Sequence, residues 1–184
     1  MDLNKMVSTW TAAVTKPEAT FKAEKRKADL ATGALNYAVG GLLGAVLGSL
    51  LLGAWIALPG VVVSSIVGAI IGGLVGTLIL WVVAKILGGK GEFTDQFYVT
   101  SLYAPVIMLL SGIPWLGILA VLYGLYLLVL ALKEVHAFST GRAVAVIIVL
   151  LVLVFLLALV LAFMFAAALG AVGLGALAGL AAAQ

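Results

Sequence analysis

Three stretches without a single charged side chain constrain this chain more than anything else in it. Residues Leu30–Ala84, Gln96–Leu132 and Ala143–Gln184 contain no Asp, Glu, Lys or Arg. A helix needs about 20 predominantly apolar residues to cross the hydrocarbon of a bilayer, and each stretch holds at least one such length. Of the 184 residues 65% are hydrophobic and 9% charged, whereas a soluble domain carries roughly 25% charge. That is too little polar surface to cover a water-exposed globule, so lipid must cover the rest. The expected fold class is all-α, a polytopic membrane helical bundle of five transmembrane helices.

Turn signals divide the uncharged stretches. The first apolar run extends from about Leu30 to Leu58 and ends at Pro59-Gly60; the second runs from Val61 to Leu87 and closes on Gly88-Gly89. A polar loop, Lys90–Gln96, leads into a third run ending at Ser111, which is long enough to span only if it starts near Phe93. Gly112-Ile113-Pro114 turns the chain into a fourth run to Leu132, and a second polar loop, Lys133–Arg142, precedes the fifth. Spans are expected at about 30–58, 61–87, 93–111, 114–132 and 143–169, followed by a Gly/Ala-rich extracytoplasmic tail over 170–184. An alternative makes Phe97–Leu132 a re-entrant hairpin bent at Pro105 and Pro114 and buried against protein.

Residues 1–29 form a polar cytoplasmic lead-in. It holds ten charges and no apolar core, so no secretory signal peptide is expected. Pro17-Glu18 reads as a helix start, after Thr15 or Lys16. The apolar positions Trp10, Val14 and Phe21 suggest an amphipathic helix along the membrane face. Orientation follows from the ten Lys and Arg: six in this segment, two around the second-to-third connection (Lys85, Lys90) and two in the fourth-to-fifth (Lys133, Arg142). Positive residues are retained on the cytoplasmic side. Five spans with the N-terminus inside and the C-terminus outside satisfy every one.

Chemistry is scarce. One histidine, no cysteine and no paired carboxylates facing a cleft leave nothing for a nucleophile-base pair or a catalytic metal, so neither an enzyme nor a cofactor is expected. Net charge +3 and pI 9.3 do not point to nucleic acid, because the cations flank apolar spans without aromatic interleaving. No ionisable residue lies near a span centre: Lys85 can snorkel from a last turn, and His136 reads as a solvated loop residue. Asn36, Tyr37, Ser64, Ser65, Thr100, Ser101 and Tyr103 read as interhelical hydrogen-bonding groups. The four tryptophans read mostly as interfacial anchors.

Inside the spans the most distinctive pattern is a pair of glycine ladders at four-residue spacing, Gly40-Gly44-Gly48 and Gly68-Gly72-Gly76. Residues four apart share a helix face, and glycine there lets a neighbouring backbone approach. Packing of spans one and two along these faces is the plain reading; a pore lining or a partner's span is the alternative.

Gly91-Glu92-Phe93 with Gln96 opens the third run, and Ser101-Leu102-Tyr103-Ala104-Pro105 lies within it. The small turn Gly112-Ile113-Pro114 follows, then Tyr123 and Tyr126, then Lys133-Glu134-Val135-His136-Ala137-Phe138-Ser139 leading to Arg142-Ala143. In this order, with Trp10 and Pro17–Phe21 ahead of span one, the features resemble the Yip domain family, five-span membrane proteins named for interaction with Ypt/Rab GTPases. The resemblance implies a five-helix domain with a cytoplasmic N-terminus, acting as a membrane scaffold or adaptor and linked in eukaryotic members to vesicle traffic. Those members look as though they recruit partners through a long cytoplasmic region. Here it is about thirty residues, so a GTPase partner is not the expectation. The brevity and the Ala/Gly/Val/Leu-heavy composition look like a prokaryotic member in the cell membrane. Its expected partners are the lipid bilayer and other membrane proteins or a homo-oligomer. The expected function is a non-enzymatic scaffold; the alternative is a small channel or facilitator for a neutral or lipid-like solute, passing Thr100, Ser101, Tyr103 and Pro105.

Overall fold

The structure, a computed structural model, describes the backbone of residues 3–182 and the side-chain surroundings of residues 3–167. All regular structure among them is helical. Two short helices, α1 (Leu3–Thr15) and α2 (Pro17–Glu24), and a 3₁₀ turn (Lys25–Lys27) precede α3 (Leu30–Leu51), α4 (Leu58–Ile86), α5 (Phe93–Ser111), α6 (Gly117–His136) and α7 (Thr140–Ala182). Residues 1–147 form one compact unit and residues 148–184 a second. The second consists of the remainder of α7; the backbone of the Gly/Ala-rich stretch is helical to Ala182, while its side chains, and residues 183–184 altogether, lie outside the described residues.

Local chemistry explains the element boundaries. Pro17 opens α2 at a position where its missing N–H costs nothing. Pro59 does the same in the first turn of α4. It therefore starts a helix instead of ending one: α3 stops at Leu51, and Leu52–Ala57 carry the chain over, with Gly53 at φ 69°. Asp29 begins α3 by accepting the Thr32 N–H and the Thr32 hydroxyl, each at 2.7 Å. Lys133–His136 do not form a loop. They complete the last turn of α6, which ends on Ala137 in the left-handed conformation at φ 55°.

Among the described residues four helices, not five, are long and apolar enough to cross a membrane: α3, α4, α6 and residues Thr140–Ala167 of α7. The exception is α5, whose run carries Thr94, Asp95, Gln96, Thr100 and Ser101. The reason lies in its surroundings. Gln96 through Pro105 are all buried within the protein, so this segment meets other helices on every side, whereas α4 leaves one face open along most of its length.

The main core joins α5 and α6 to the lead-in helices. Ala13 and Phe21 pack with Tyr98, Val99, Leu102 and Tyr103 of α5 and with Leu127, Leu130, Ala131 and Val135 of α6. Phe21 and Tyr103 rings lie 5.9 Å apart. Thus α1 and α2 sheathe one half of the bundle, and their apolar residues contact protein more than a membrane surface. A smaller cluster on the other side of α5 holds Tyr37, Phe97 and Ala104, with Phe93, Met108 and Ile70 against it.

Candidate functional site

The polar residues of α5 are bound up in hydrogen bonds to its neighbours. Trp10 Nε1 of α1 donates to Asn36 Oδ1 of α3 at 2.9 Å, and Asn36 Nδ2 donates to Ser101 Oγ of α5 at 3.0 Å. Ser101 Oγ in turn donates to the Tyr98 carbonyl at 2.7 Å. At the adjacent residue of each helix Tyr37 Oη donates to Thr100 Oγ1 at 3.1 Å, with Thr77 Oγ1 of α4 at 3.5 Å from the same atom. Buried polar groups cost roughly 1–3 kcal/mol each when left unpaired, so these two chains fix the mutual register of α1, α3, α4 and α5. A hollow of about 210 Å³ opens beside Trp10 and Asn36, rimmed by Glu24, Lys27 and Tyr98.

A second polar cluster closes the α4–α5 connection against the end of α6. Gly91 N–H donates to His136 Nδ1 at 3.2 Å, and the Gly91 carbonyl accepts from Trp81 Nε1 at 3.0 Å. His136 is 1% exposed and stacks on Phe138 at 5.4 Å; it is no solvated loop residue. A side chain on Gly91 would run into Val135, and one on Gly89 would meet His136 Nδ1 at 2.5 Å. Phe93 extends the cluster, stacked on Phe97 at 6.0 Å and edge-on to Trp81 at 6.3 Å. Lys85 lies over the Trp81 ring, its Nζ 5.4 Å from the centroid. From the lead-in, Lys25 Nζ donates to the Glu134 and Val135 carbonyls at 3.1 and 3.0 Å.

The glycine ladders face different surroundings. Cβ atoms on Gly40 and Gly44 would meet α5: Pro105 Cα at 3.1 Å and the Met108 carbonyl oxygen at 2.7 Å. Gly48 looks toward Gly112 beyond the same helix. A Cβ on Gly68, Gly72 or Gly76 would meet nothing within 4 Å. The ladders therefore do not meet each other. Helices α3 and α4 touch instead at Gly41, beside the Ser65 carbonyl, and at Gly73, under the Tyr37 ring.

Of the remaining sequence-identified positions, Tyr103 and Pro105 are buried in α5. The Arg142 N–H donates to Ser139 Oγ at 3.4 Å in the first turn of α7. Gln96 is fully buried with neither side-chain amide atom hydrogen-bonded within the protein. Trp55 and Trp115 are exposed, 61% and 89%, as anchors would be, whereas Trp10 is a buried hydrogen-bond donor. Sequence reasoning missed that role and the capping by Lys25; polar residues of the lead-in carry no periodic signal that assigns them to distant helices.

A family model, the Yip1 domain, matches residues 11–162. The chain belongs to the Yip1 domain family. No curated protein and no solved structure matches it. The Yip1 domain thus begins within α1 and runs into α7. It includes both polar clusters almost whole, since only Trp10 precedes it. With four apolar helices of spanning length, the protein is a multi-pass integral membrane protein of a family linked to membrane trafficking.

Proposed function

We propose that this Yip1 domain protein is a non-enzymatic membrane scaffold with five spans, its N-terminus in the cytoplasm and its C-terminus outside. In this reading α5 is the fifth span, polar because neighbouring helices shield it from lipid. The observation that carries the scaffold reading is the engagement of Trp10, Asn36, Ser101, Tyr37 and Thr100 with one another. A solute passing Thr100, Ser101, Tyr103 and Pro105 would have to open a helix that is buried over that whole segment. A packed interior with apolar outer faces suits lateral association with membrane proteins or a second copy better than conduction.

Orientation is tested by single cysteines, which the natural chain lacks. Cysteines at Trp55 and Trp115 are expected to react with an impermeant reagent from outside, and those at Lys90 and Ser139 only after permeabilisation. Labelling of Lys90→Cys from outside would overturn the orientation. The scaffold reading is tested by crosslinking in native membranes followed by partner identification, with flux assays in proteoliposomes alongside. Reproducible partners and no flux are expected; solute-dependent flux lost on Ser101→Leu would overturn it.

A further inference from the structure

Where the lead-in meets the ends of α5 and α6, charges of both signs line one hollow. It measures about 420 Å³ and is walled by Lys22, Lys25 and Arg26 on one side and by Asp95 and Glu134 on the other. Lys22 and Arg26 stand four residues apart and are exposed, while both carboxylates are half-buried. Among the described residues no ion pair crosses the hollow: the ion pairs there are Lys27–Glu24 and Lys133–Glu18. Lys25 is held back by its two hydrogen bonds to α6 carbonyls. Two exposed cations thus face two half-buried carboxylates across the hollow without pairing, an arrangement open to a ligand that carries both charges.

The hollow sits one turn before Leu30, where the uncharged stretch of α3 begins, and beside the charged ends of α5 and α6. In the proposed topology, on which this inference rests, that is where a bilayer would change from headgroup to hydrocarbon. We infer that this hollow binds the headgroup of an aminophospholipid, its phosphate on Lys22 and Arg26 and its primary ammonium on Asp95 and Glu134. A phosphate alone would satisfy one wall only. A quaternary ammonium would reach the carboxylates without donating a hydrogen bond. The size lies within the roughly 300–1,000 Å³ of small-molecule sites, and the acyl chains of the lipid would continue into the bilayer along the helices.

The test uses the full chain in detergent, titrated with phosphatidylethanolamine, phosphatidylglycerol and phosphatidylcholine of identical acyl chains, with bound lipid counted by native mass spectrometry. Wild type is expected to retain phosphatidylethanolamine best. Lys22→Gln and Arg26→Gln each lower retention of the ethanolamine and glycerol lipids alike, by about fivefold per cation. Asp95→Asn with Glu134→Gln removes the preference for ethanolamine over glycerol and leaves phosphatidylglycerol binding unchanged or stronger. Lys22 is exposed, so Lys22→Gln keeps the fold even if the carboxylate variant does not. Equal retention of the three lipids by wild type, a preference that survives both sets of substitutions, or equally tight binding of water-soluble glycerophosphoethanolamine would each overturn the assignment.

Discussion

The Lys25 ammonium caps α6 from a segment more than a hundred residues away in sequence, donating to the carbonyls of Glu134 and Val135 at 3.1 and 3.0 Å. The last carbonyls of a helix have no intrahelical partner, and the helix C-terminus carries partial negative charge. A cation there satisfies both. Lys25→Met keeps the apolar stem and removes the donor, so its expected cost is about 1–2 kcal/mol. Thermal unfolding in detergent checks it, with Lys27→Met, whose 59% exposed side chain pairs with Glu24 three residues before it, expected to cost less than half as much.

Trp10 and Asn36 offer a second test. Trp10→Phe preserves most of the buried ring and removes only the donor to Asn36 Oδ1. Asn36 is 2% exposed, so the orphaned carbonyl should cost about 1–3 kcal/mol. In a double-mutant cycle with Asn36→Leu the second loss should be clearly smaller in the Trp10→Phe background than in wild type. Strict additivity would show that the two side chains do not act together.

Much of the helix plan was legible because spanning length and absence of charge are properties of single segments. Partnership between segments was not. The four-residue spacing of Gly40, Gly44 and Gly48 identifies a face, yet nothing in the spacing says that Pro105 and Met108 lie against it instead of Gly68 and Gly72. His136 reads as solvated because Lys133 and Glu134 precede it. Its burial depends on Gly91 approaching across the bundle, and Gly91 can do so only for want of a side chain. Thr100, Ser101 and Asn36 were legible as interhelical hydrogen-bonding groups by type, since a polar group inside a bundle needs a partner. Their partners depend on how α1 and α5 dock. Trp10 was misread for the same reason.

Asp29 predicts a pH dependence. The Thr32 N–H and hydroxyl bonded to its carboxylate hold its pKa below the ordinary value of 3.8. A depressed folded pKa means stability that is present above the unfolded value and lost as pH falls through the folded one. The cap should therefore contribute fully at neutral pH and fade below pH 3.8. Asn retains the cap geometry but does not titrate, so the difference in melting temperature between wild type and Asp29→Asn should be constant from pH 7 to 5 and shift against wild type in more acid solution. A parallel course down to the lowest accessible pH would remove Asp29 as a titrating cap.

Gly44 and Gly72 form the sharpest contrast. A Cβ on Gly44 would stand 2.7 Å from the Met108 carbonyl oxygen, a backbone atom that cannot swing aside, whereas one on Gly72 would meet nothing within 4 Å. Gly44→Ala must push α3 and α5 apart, and overpacking of this kind costs about 1–3 kcal/mol. Gly72→Ala adds a methyl in open space and gains helix propensity, up to about 1 kcal/mol. The two substitutions are chemically identical, so melting temperatures measured side by side in one detergent isolate the contact. Gly72→Ala should be neutral or stabilising in the isolated protein. If it instead costs as much as Gly44→Ala, a neighbouring helix covers that face in solution, and the same variants compared by crosslinking would say whether the neighbour belongs to a second copy.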